Sequence, residues 1–173
     1  DADGKELDAQ MSYAPGQVEI RVNDAGAAYP VTVDPLIYME QKVISPDSAA
    51  SGGFGASVAI SGNTAIIGTS GFSIVGSAYI FVKPAGGWED MTETAKLRSS
   101  DGATNDLFGD AVALSGDTAL IGAPQHQGAY LYQGAAYIFT KPAGGWVTTN
   151  TFAARLFASD GAQSDLFGKA VAL

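Results

Sequence analysis

The side chains with the clearest chemical capacity are oxygen donors in two short loops. Asp101, Asn105 and Asp106 fall within one loop, and Asp160, Ser164 and Asp165 repeat their spacing. Several oxygens delivered by one turn are what a hard cation such as Ca2+ needs, with backbone carbonyls completing the shell. Asp101, Asn105, Asp106, Asp160 and Asp165 are therefore the candidate metal ligands. The ordinary alternative, which the residue types favour, is that Asp101-Gly102 and Asp160-Gly161 close turns while the carboxylates accept from nearby N–H groups. An upstream copy has Asp47 but Gly52 where the second acid belongs, which argues against a metal role shared by every copy.

His126 is the only histidine. One imidazole cannot make a multi-histidine metal site, and no Ser-His-Asp order is recognisable. His126 reads as a loop residue, no catalytic residue is assigned, and the chain reads as non-enzymatic. Tyr130 and Tyr132 sit in the longer loop from Gln125 to Gln133, where exposed tyrosines serve either as partner contacts or as cover for a sheet edge. Phe167 opens a last apolar stretch and joins them as a candidate partner contact. Trp88 and Trp146 recur at one repeat position and read as packing residues rather than a sugar platform.

The composition narrows the function classes. The chain has 173 residues, no cysteine and a net charge of −9. Nucleic-acid binding needs clustered Lys and Arg, so this acidity excludes it. No apolar run is long enough for a membrane-spanning helix. The opening DADGKELDAQ, with no Met, basic start or apolar stretch, reads as the start of a processed or excised piece. With 46% hydrophobic residues the chain is no disordered tail, and 22 glycines without a collagen period mean many tight turns between short strands.

An internal repeat supplies the elements that carry these loops. Segments 41–63, 95–117 and 154–173 align without gaps, bringing Phe54, Phe108 and Phe167 into register, each followed by Gly. GSAYIFVKPAGGW (76–88) and GAAYIFTKPAGGW (134–146) differ at two positions. In the first unit, Phe54 to Ile60, Thr64 to Gly68, Ser77 to Val82 and a stretch from near Trp88 to Leu97 read as four strands. Ser61-Gly62-Asn63 and Lys83-Pro84-Ala85-Gly86-Gly87 are their turns. The second unit repeats this. Four antiparallel strands at this period describe a propeller blade.

The expected fold is therefore all-β: four-stranded antiparallel blades of a partial β-propeller, preceded by a β-hairpin segment. Residues 1–37 are assigned to the hairpin, with strands at Gln17–Val22 and Tyr29–Val33, as the tail of a preceding β domain. Residues 38–173 form the repeat region, with blades at 54–98 and 108–157 and partial strands at 38–45 and 167–173. A closed propeller takes at least about four blades, so other copies or further blades are expected to complete it.

The Phe-Gly pairs, Gly122-Ala123-Pro124 and the AYIF strands together resemble the FG-GAP repeat of integrin α chains and secreted bacterial proteins. Lys96-Leu97, Ser100-Asp101-Gly102, Asp106-Leu107-Phe108-Gly109 and Ser115-Gly116-Asp117 are more similar to the bacterial version. So is the lead-in from Tyr29 to Ile37. The resemblance implies an extracellular or cell-surface location and a structural or adhesive role through protein contacts. The alternative is an accessory or ligand- or ion-binding propeller domain of a larger extracellular enzyme. It also implies possible Ca2+, but the Asp-x-Asp-x-Asp-Gly loop that holds it in integrin-type repeats is missing here, so no cofactor is assigned.

Overall fold

The computed structural model describes residues 2–5, 7–14, 17–28, 41–45, 53–71 and 74–173. Contacts divide the chain into two compact units, residues 1–40 and 41–173.

In the first unit, β1 (Ala9–Ala14) and β2 (Gln17–Val22) form an antiparallel hairpin in which Ala14 pairs with Gln17. The N–H of Asn23 extends the ladder to the Asp8 carbonyl at 2.8 Å. The partner found for Gln17–Val22 precedes it in the chain, a pairing the sequence reading did not include. The missed signal was Pro15-Gly16, a turn dipeptide between two alternating runs. Tyr29–Val33, the partner expected from the sequence, lies outside the described residues, as do Leu36 to Glu40.

The second unit holds two blades. The first has β4 (Phe54–Ser61), β5 (Thr64–Thr69), β6 (Ser77–Val82) and β8 (Ala95–Leu97), in the order β4-β5-β6-β8, all antiparallel. The second has β9 (Ala111–Ser115), β10 (Thr118–Ala123), β11 (Ala135–Thr140) and β12 (Ala154–Leu156), in sequential order and again antiparallel. No helix occurs among the described residues. The fold is all-β, with antiparallel four-stranded sheets as blades of a partial β-propeller.

The fourth strand is shorter than its sequence suggests. Only Ala95–Leu97 joins the first sheet. Thr94 ends that ladder with its side chain, its Oγ1 accepting from the Val82 N–H at 3.0 Å. The residues before it turn away as β7 (Met91–Thr92), which pairs in parallel with β3 (Val43–Ile44). The same clasp recurs one repeat later, where Thr149 bridges Leu97 in parallel. The second blade thus holds the outer strand of the first, and β7 of the first blade holds Val43–Ile44 in the same way. Residues 167–173 also depart from expectation. They form no strand, and only Phe167 makes a bridge, to Gly134. A first strand is built by its hydrogen bonds to a second, and residues 168–173 have no such neighbour here.

Strand periodicity sorts each blade into two faces. Ile66, Ala78, Ile80 and Leu97 of the first blade face Val112, Leu114, Ile121 and Tyr137 of the second, and this seam is the main core. Ile67, Tyr79 and Phe81 occupy the opposite face of the first blade, and Ala113, Leu120 and Ala136 that of the second.

Candidate functional site

The Phe-Gly pairs form the joints between repeats. Phe54 and Phe108 each lie against the Tyr and Phe of their own third strand. Phe54 is 5.6 Å from Tyr79 and 6.3 Å from Phe81, and Phe108 is 5.4 Å from Tyr137 and 6.2 Å from Phe139, centroid to centroid. The glycine that follows has φ of +91° at Gly55, +93° at Gly109 and +85° at Gly168, a region closed to most side chains. That turn presses the backbone against the blade before it. A Cβ on Gly76 would strike the Phe108 carbonyl, and one on Gly134 the Phe167 carbonyl. Polar contacts finish the joint. Ser57 Oγ donates to the Gly109 carbonyl at 2.7 Å. Asp110 accepts from Ser70 Oγ at 3.0 Å and pairs with Lys169 Nζ at 2.7 Å, so one carboxylate touches three successive repeats.

Of the three phenylalanines, Phe108 is fully buried, while Phe54 and Phe167 are partly buried. Phe167 packs on Ala113, Leu120 and Ala136, beside Val171. Trp146 is buried in the seam between the blades, and Trp88 packs on the outer face of the first.

The acidic loops have a shared geometry. Asn105 and Leu107, and one repeat later Ser164 and Leu166, all have positive φ without being glycine. Asp106 Oδ2 accepts the Ala103 N–H at 2.9 Å, and Asp165 Oδ2 accepts the Ala162 N–H at 2.5 Å. Asp101 forms an ion pair with Arg155, and Asp160 is exposed. Among the described residues no group of three or more His, Asp or Glu side chains converges.

Sequence reasoning missed His126. It lies in a loop, as read from the sequence, but is buried there, and its Nδ1 lies 2.7 Å from Asp106 Oδ2. Its ring meets Tyr137 edge-on at 5.9 Å. The pair joins residues twenty apart in sequence, and only the repeated position of Asp106 hinted that a partner was needed. Burial, followed by the negative charge of Asp101, pushes the Tyr137 phenol well above its ordinary range. Among the described residues its hydroxyl makes no hydrogen bond of ordinary geometry, and the neighbouring Asp101 carboxylate opposes its ionisation. Tyr130, Leu131 and Tyr132 are exposed on the loop that follows His126.

The family model described as FG-GAP repeat matches residues 39–81 and 91–139. No curated protein matches the chain.

Proposed function

The chain belongs to the FG-GAP repeat family, and on that premise we propose that it is a non-catalytic structural or adhesive module of a secreted or cell-surface protein, working through protein contacts. FG-GAP repeats are propeller repeats, often engaged in protein interactions and typical of extracellular or cell-surface proteins.

One observation carries the reading. Val112 and Leu114 of the second blade are each 9% exposed, because they pack on the first blade. Their repeat equivalents Val58 and Ile60 are 67% and 64% exposed. The β4 part of this face is thus open to solvent, although Ile67, Tyr79 and Phe81 of the same face are buried, and its copy in the second blade is an inter-blade interface. A blade of the same kind, from a longer chain or a second copy, is the complementary partner.

Sedimentation velocity over a concentration series, paired with amide exchange, tests this. Concentration-dependent association that disappears in the double variant Val58→Lys, Ile60→Lys supports it. A chain that stays monomeric to about 100 μM, with β4 amides protected as strongly as those of β9, would refute it.

A further inference from the structure

We propose that the second blade carries a binding pocket for a single neutral sugar ring, formed by His126, Gln133, Arg155 and Phe157. A cavity of about 280 Å³ opens at this point, with Gly128 and Gly134 also in its wall.

The pocket is made by a departure from the repeat. Residues 70–76 connect β5 to β6, whereas residues 124–134 connect β10 to β11. The blade closes with the shorter link, so the added chain answers to something other than blade packing. It folds inward: His126 and Gln133 are 7% and 6% exposed. Gln133 pins the loop, its Oε1 accepting from the Ala129 N–H at 3.0 Å and its Nε2 donating to the Ala158 carbonyl at 3.4 Å. Tyr132 is held at a φ of +56°, a costly conformation for a bulky residue.

The Asp106–His126 pair is equally private to this blade. In the gap-free register its positions hold Gly52 and Phe72 in the first repeat. Burying two polar side chains costs free energy that an apolar pair would avoid, and the first repeat manages without them. The Asp106 carboxylate can only accept, so it fixes the proton on Nδ1. Among the described residues His126 Nε2 has no hydrogen-bond partner, on a ring that lines the cavity.

The polar groups select the ligand class. Arg155 is paired with Asp101, and His126 with Asp106. A charged ligand would have to displace Asp101 from Arg155, or Ala103 and His126 from Asp106. What remains is the His126 Nε2, the unused N–H groups of the Arg155 fork, and the Phe157 ring. That ring is 57% exposed, with the Arg155 guanidinium 5.8 Å from its centroid. Fixed polar groups beside an exposed aromatic face suit a sugar, whose hydroxyls need oriented partners while its C–H face lies on a ring. The volume lies just below the usual range of small-molecule pockets, roughly 300 Å³ upward, which suits one ring rather than a chain of them.

The sole histidine provides an assignment-free reporter: its Cε1–H resonance in the intact 173-residue chain. The probes are methyl glycosides of glucose, galactose, mannose and N-acetylglucosamine, with acetate and phosphate as anion controls at constant pH. The expected result is a saturable shift with at least one glycoside and none with either anion, weakened about tenfold or more in Phe157→Ala. Phe157 is exposed, so the melting temperature of that variant should hold, separating lost binding from lost folding. No shift with any glycoside up to about 50 mM, a shift with the anions instead, or undiminished binding by Phe157→Ala overturns the proposal.

Discussion

Val58 and Val112 hold the same position in two successive repeats, yet one is 67% exposed and the other 9%. The difference lies in what stands opposite: Val112 meets the first blade, whereas Val58, on the outer strand β4, is open to solvent while Ile67, Tyr79 and Phe81 of its face are buried. Val112→Asp is therefore expected to destabilise by about 3 kcal/mol or more, because a charge enters a closed seam. Val58→Asp in the monomer should change stability by less than about 0.5 kcal/mol. Urea titrations of the two variants at low protein concentration make the comparison, and equal losses would mean the two faces are alike.

Gly76 is expected to tolerate no side chain. The Phe108 carbonyl occupies the space its Cβ would take, and backbone cannot step aside as a side chain can. Gly76→Ala should cost about 3 kcal/mol or more by forcing the second blade off the first. Gly86→Ala, at a turn with nothing nearby, is the control and should cost under about 1 kcal/mol. Circular-dichroism melts of both variants provide the check.

Tyr137 should make stability fall in alkali. Its pKa is raised above the ordinary 10.0, so the native state keeps a proton that the unfolded chain loses. Where the unfolded state binds fewer protons, stability declines as pH rises. The contribution is complete below pH 10 and is lost above it. Tyr137→Phe should flatten this decline. At neutral pH it should cost under about 1 kcal/mol, since among the described residues the hydroxyl makes no hydrogen bond of ordinary geometry. Denaturant titrations from neutral to alkaline pH, wild type against variant, measure both effects.

Calcium at millimolar concentration is expected to leave the melting temperature unchanged relative to chelator. Asp101 is engaged by Arg155, Asp106 by Ala103 and His126, and Asp165 by Ala162. A cation would have to displace those partners. A clear rise in melting temperature with Ca2+ would show that it does, because a ligand specific for the native state stabilises it.

The repeat and the inner strands of each blade were legible in the sequence because they depend on local pattern. Alternation in FGASVAIS and the apolar SAYIFV and AAYIFT runs are strand signals wherever the chain goes, and a repeated pattern must fold into a repeated unit. The Phe-Gly motif could be recognised, but not the reason for it: the positive φ of Gly109 matters because Gly68 and Gly76 lie against that turn. The β3–β7 pairing, the Asp106–His126 bond and the cavity beside it were invisible for a related reason. Each joins residues from about twenty to about fifty positions apart, and closing such a loop costs entropy that local preferences do not repay. The difference between Val58 and Val112 has no sequence signature at all, since the side chains are identical. Only the presence or absence of an opposing blade decides which of them is core, because apolar burial depends on the area removed from water and not on the residue alone.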